Sequence, residues 1–137
     1  MGLYLCIFDG DEELEGVDVG SYEDFGRFWD AVRDRLEGGR PGSRYPVLML
    51  HADADGEWTA EEAGLLQEEL DSISEAFRGT GPVPFWTEWQ RQVAGERGLS
   101  PKTLYECFLD VDGEPLIVRL IALCALAVER QLPILFQ

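Results

Sequence analysis

Apolar and polar positions follow three patterns along the chain. Leu3 to Phe8 is a continuous apolar run with Tyr, Ile and Phe in it, and an acidic, glycine-containing stretch from Asp9 to Gly20 follows. Such a run, bounded by polar residues, predicts a buried strand and then a surface loop. From Tyr22 the period changes. Tyr22, Phe25, Trp29, Val32 and Leu36 recur at steps of three and four, which predicts a helix with Ser21 as N-cap, Asp24 three residues on and Gly38-Gly39 as its stop. After Arg40 to Arg44, the run Pro46 to Leu50 reads as a second short strand, and His51 to Trp58 as a loop. Thr59 opens the next helix, with Leu66, Leu70, Ile73 and Phe77 on its core face and Glu61, Glu68, Glu69, Asp71 and Glu75 crowding the other side. Thr59 and Glu62 have the spacing of a capping box.

Gly79 to Pro84 breaks the chain, and Phe85 to Gly98, with Trp86 and Trp89, reads as helical. Ser100-Pro101 is a start signal for an element reaching about Phe108, and Asp110 to Pro115 is a turn. Leu116 to Arg130 is apolar nearly all round, so it must lie buried between the sheet and other helices or at an interface. Pro133 to Phe136 supplies a last strand. The expectation is one α+β domain over residues 1–137, a small sheet of three or four short strands packed against about four helices.

Composition changes the picture in one respect. Against 45% apolar residues and 15 aromatics, enough for a core, stand 27 acidic and 11 basic side chains, a net charge of −16. A chain of this charge repels phosphate backbones and anionic bilayers, so neither nucleic acid nor membrane is an expected partner. The acid is uneven. Residues 1–39 hold 11 acidic and 3 basic side chains, or −8; residues 51–78 hold 9 and 1, again −8; residues 40–50 carry +2 and residues 79–137 carry −2. Two acidic segments beside nearly balanced ones suit a basic protein partner, and a solvated face is the plainer account. Cys6, Cys107 and Cys124 lie in apolar runs without C-x-x-C spacing and read as core residues. Residues 1–9 lack the basic start of a signal peptide, and Leu116 to Val128, broken by Arg119, is too short to span a bilayer; the expected location is the cytoplasm.

Candidate chemistry centres on His51-Ala52-Asp53-Ala54-Asp55-Gly56 with Glu62 beyond it. Asp53, Asp55, Gly56 and Glu62 occupy calcium-loop positions, so a calcium-binding module is one reading. Against it, His51 replaces the first oxygen ligand, a strand and not a helix enters the loop, and Glu62 serves the capping box; an Asp-Gly turn explains the same residues. No metal or cofactor is expected. One histidine and dispersed cysteines build no zinc site, and no phosphate loop or nucleophile elbow is present, which argues against an enzyme. Trp58 lies among Asp53, Asp55 and Glu57, either as an exposed anchor for a basic partner or as a lid on the following helix. The expected partner-binding residues are Asp53, Asp55, Glu57 and Trp58, helped by Asp9, Asp11, Glu12 and Glu13 in the first acidic loop.

Met1-Gly2-Leu3-Tyr4-Leu5-Cys6-Ile7-Phe8-Asp9, Leu48-Met49-Leu50-His51-Ala52-Asp53-Ala54-Asp55-Gly56-Glu57-Trp58 and Pro133-Ile134-Leu135-Phe136-Gln137 resemble the immunity protein 70 family, predicted immunity proteins of bacterial polymorphic toxin systems. The resemblance spans the chain and carries no set of functional residues. It implies a cytoplasmic α+β protein that binds and neutralises a cognate toxin domain. Its acidity would suit a basic toxin, such as a nuclease, in a salt-dependent complex. A small acidic intracellular adaptor unrelated to toxins is the other reading. Patterning does not set the oligomeric state.

Overall fold

A hairpin opens the chain. β1 (Gly2–Asp9) and β2 (Glu12–Ser21) pair antiparallel through a two-residue turn, Gly10-Asp11. Gly10 has φ +64° and Asp11 a negative φ, the glycine-first arrangement of a type II′ turn, whose twist matches the flanking strands. The register slips twice, each time leaving one extra residue in β2: Val19 between the pairs Leu3–Gly20 and Tyr4–Asp18, and Leu14 between Ile7–Glu15 and Phe8–Glu13. The computed structural model describes residues 2–51, 56–81, 91–92, 95–96, 98, 103–108 and 114–137, with the side chains of 2 and 21–24 outside the description.

The remaining elements are α1 (Tyr22–Leu36), α2 (Pro46–Met49), β3 (Glu57–Trp58), α3 (Ala60–Arg78), a 3-10 turn (Leu104–Cys107), α4 (Leu116–Arg130) and β4 (Ile134–Phe136). The sheet runs β2-β1-β4-β3, antiparallel throughout. Leu3, Leu5 and Ile7 alternate onto one face and are fully buried, joined by Val17 and Val19 of β2 and Ile134 and Phe136 of β4. Onto this face pack α1 through Phe25, Phe28 and Val32 and α4 through Leu120, Leu123 and Ala127, and α3 joins the same core through Leu66, Leu70, Ile73 and Phe77, chiefly against α4. Phe28, Phe77 and Phe108 meet at ring separations of 5.4 to 6.2 Å, two of the three contacts edge-on. This is the α+β architecture expected from patterning, with four strands and four helices whose bounds fall among the described residues.

α4 has the bounds read from sequence and packs between α3 and the sheet, as an all-round apolar helix must. It ends where Gln131 turns left-handed at φ 56° and the Leu132 N–H returns to the Ala127 carbonyl. Thr59 and Glu62 form the expected capping box: the Thr59 hydroxyl accepts from the Glu62 N–H at 3.1 Å and the Glu62 carboxylate from the Thr59 N–H at 3.0 Å. Thr59→Ala should lower stability by about 1 kcal/mol, read as a shift in the urea midpoint at unchanged slope; an unchanged midpoint would show that the box contributes nothing.

Three expectations are corrected. His51 to Trp58 is not all loop, since Glu57–Trp58 is β3 and pairs with β4. Asp9 to Gly20 is no loop, because most of it is β2, a ten-residue strand. Its inward positions Val17 and Val19 carry the apolar signal, and the acid on its exposed positions masks the alternation. Pro46 to Leu50 is no strand but the one-turn helix α2 with proline at its start. A five-residue apolar run does not distinguish the two, and a contact from α3 decides it: the Glu69 carboxylate accepts the Val47 and Leu48 N–H groups at 3.0 and 2.9 Å. The capping roles of Ser21 and of Ser100-Pro101 and the Asp110 to Gly113 turn lie outside the described residues, as does most of the segment from Phe85 to Gly98.

Candidate functional site

The two faces of the sheet differ. Residues opposite one another on antiparallel strands share a face, so the pairs Cys6–Gly16, Cys6–Leu135 and Leu135–Glu57 lay one row across all four strands. Alternation adds Tyr4 and Phe8 beside Cys6, and pairing adds Asp18 opposite Tyr4 and Glu13 opposite Phe8. Tyr4, Phe8 and Leu135 are half-buried, and none of them belongs to the core that the helices build. Glu13, Asp18 and Glu57 are exposed. The outer face is therefore an apolar centre with carboxylates on its margins.

Tyr4 organises that face. Its ring lies across Gly16, where a Cβ would fall 1.9 Å from the hydroxyl oxygen, so a side chain there would expel the ring. The hydroxyl donates to Glu13 Oε1 at 2.5 Å. That hydrogen bond, reinforced by burial and by the Glu13 charge, pushes the Tyr4 hydroxyl up to about 12. Burial, with the Glu13 charge behind it, also raises the Cys6 thiol, and burial pushes the Cys124 thiol up to about 12, so both stay protonated and weakly nucleophilic near neutral pH.

Around the β3 edge lies a cavity of about 310 Å³ lined by Phe25, Gly26 and Trp29 of α1, Leu48 and Met49 of α2, His51, Trp58 and Phe136. His51 stacks on Phe136 at 4.4 Å and 18°, and Trp58 meets Phe136 edge-on at 4.7 Å. The ring N–H groups turn away to backbone carbonyls: Trp29 Nε1 donates to Met49 at 3.2 Å, Trp58 Nε1 to Val47 at 3.2 Å and His51 Nε2 to Glu57 at 2.8 Å. Two inward carboxylates hold the α2 wall in place. Glu69 caps α2, and burial raises its carboxyl despite the Val47 and Leu48 N–H groups, with the Glu37 charge adding to the rise. Glu37, 5% exposed, accepts from the Gly42, Arg44 and Tyr45 N–H groups at 3.2, 3.0 and 3.0 Å and so folds the segment leading into α2.

A family model, Immunity protein 70, matches residues 3–136. The chain belongs to the Immunity protein 70 family. No curated protein and no solved structure matches it. Membership bears out the resemblance carried by the β1, central and β4 segments, and it brings the general expectation for such a family, that its members bind a toxin.

On this immunity protein the residues expected to bind a partner are divided. Asp53 and Asp55 lie outside the described residues. Asp9, Asp11 and Glu12 are exposed at the hairpin end, while Glu13 and Glu57 share the outer face on β2 and β3, three strand spacings or roughly 14 Å across the sheet and offset along it. Trp58 is no exposed anchor: it is 2% exposed, faces the core and forms a wall of the cavity, the direction dictated by its pairing with inward Ile134. For the calcium reading, both terminal positions hold other partners, His51 with the Glu57 carbonyl and Glu62 with Thr59. Among the described residues no group of three or more His, Cys, Asp or Glu could hold a metal, and no helix is long and apolar enough to cross a membrane. Patterning missed Tyr4, Phe8 and Leu135 because a short apolar run reads as buried on both sides; Asp18, set between Val17 and Val19 in β2, was the available sign of a solvated face.

Proposed function

We propose that this immunity protein neutralises a cognate basic toxin domain by seating it on the outer face of the sheet. The observation that carries this reading is the apolar centre of Tyr4, Phe8 and Leu135 with Glu13, Asp18 and Glu57 at its margins, the plan of a protein interface with a dry centre and a polar rim. A net charge of −16 selects a basic partner and speeds its approach. Size extends the contact. Four strands by eight residues cover at most roughly 500 Å², short of the roughly 800 Å² per partner of a stable interface. The hairpin end, with Asp9, Asp11 and Glu12, adjoins the face and adds to it. The toxin is held, not modified, and no catalytic group is needed.

The test is binding to the toxin domain encoded beside this gene, a nuclease being the class most suited to the charge. A complex is expected at low salt that weakens as ionic strength rises. Asp18→Lys with Glu57→Lys should weaken it by on the order of 100-fold, mostly through slower association, while leaving thermal stability unchanged. Affinity unaffected by the double reversal, or no complex at low salt, would sink the proposal.

A further inference from the structure

We infer that the cavity between α1, α2 and β3 is an anchor pocket for an arginine side chain of the toxin. The inference rests on the proposed function. Five rings, Phe25, Trp29, His51, Trp58 and Phe136, converge on a space of about 310 Å³, the lower end of the range for specific ligand pockets. Three of those rings carry N–H groups, and each is committed to a backbone carbonyl of this chain. What the rings offer an occupant is therefore their electron-rich faces and no donors, which suits a cation and gives an anion nothing to hold. Among the described lining residues there is no Asp, Glu, Lys or Arg, so the attraction at longer range comes from the surrounding net charge of −16, again favouring a cation.

Among cations, guanidinium is planar, weakly hydrated and stacks on aromatic faces, whereas a lysine ammonium is strongly hydrated and gives up more on entering a pocket of rings. Trp29 already accepts one such partner, the Arg33 guanidinium of its own helix, 5.4 Å from the ring centre. The two acid-bonded segments that shape α2 keep this wall in place without the toxin, so little ordering is required on binding.

The pocket can be closed without touching its rings. Gly26 lines it from α1, and a Cβ added there meets nothing within 4 Å. Gly26→Leu should therefore fold at least as stably as the parent, since glycine is a poor residue inside a helix, and fill the space. The experiment follows the Trp29 and Trp58 indole N–H resonances of the whole protein during titration with N-acetylarginine amide, N-acetylcitrulline amide and toluene. Saturable shifts with the arginine compound, none with its uncharged isostere and none in Gly26→Leu are expected. Shifts with toluene alone would assign the pocket to an apolar side chain and overturn the inference, as would shifts with none of the three. In the complex, Gly26→Leu should weaken toxin binding by at least about tenfold. A Gly26→Leu protein that binds toxin as the parent does, while Asp18→Lys with Glu57→Lys fails to bind, would overturn the pocket and leave the sheet face standing.

Discussion

Glu37→Ala is expected to cost about 3 kcal/mol of stability, an effect out of scale with a residue one position beyond a helix end. The carboxylate is 5% exposed and satisfies three backbone donors, from Gly42, Arg44 and Tyr45. Hydrogen bonds to a charged acceptor contribute roughly 1.5–3 kcal/mol each, and donors left unpaired lose the same order when water cannot reach them. Gly42 and Arg44 can turn to water, but Tyr45 is buried, so the loss approaches the upper value for one such bond and not the sum of three. Glu37→Gln keeps an acceptor but sets amide hydrogens against backbone N–H groups, and should lose about half as much. Urea denaturation at constant slope measures both, and amide exchange should show protection lost first at Tyr45 and then through α2. A midpoint shift below about 0.5 kcal/mol, the range of ordinary surface substitutions, would refute the role.

Trp58→Ala should be costlier still, about 3–5 kcal/mol, the range for emptying a large aromatic site. The substitution removes a ring that is 2% exposed and edge-on to Phe136, and it strips the Val47 carbonyl of its indole donor. Against a total stability of roughly 5–15 kcal/mol, the variant would sit at the limit of folding. Trp58→Phe keeps most of the packing and should lose only about 1–2 kcal/mol, chiefly the hydrogen bond. Glu57→Ala, one residue away on the solvent side, should move the thermal midpoint hardly at all. Thermal and urea unfolding of these three variants separates a buried wall from a surface anchor. Equal and small effects at 57 and 58 would restore Trp58 to the surface.

The parts of this fold that patterning reveals are those in which one face is simply apolar. α3 and α4 declare themselves through long three-and-four spacing, and the Thr59–Glu62 box marks the start of α3 because both partners are local in sequence. β2 stays hidden because its acids dilute the period-two signal of Val17 and Val19. α2 stays hidden because its N-terminal donors are satisfied by Glu69, more than twenty residues away. Glu37 and Glu69 look like members of a solvated acidic population; only tertiary structure reveals that they turn inward. The candidate surface is legible in part. Glu13 and Glu57 are acids any charge count would choose, but their meeting on one face depends on β4 entering the sheet between β1 and β3 from the far end of the chain.

The two slips in the β1–β2 register reach beyond the hairpin. β2 forms one margin of the sheet, and its outer side presents backbone groups to which another strand could attach. A like molecule approaching that margin finds the ladder interrupted at Leu14 and again at Val19 and must set its own carboxylates against Glu12, Glu13, Glu15 and Asp18. The acid on this margin thus sets identical copies against one another, a charged edge of the kind that disfavours sheet-to-sheet addition.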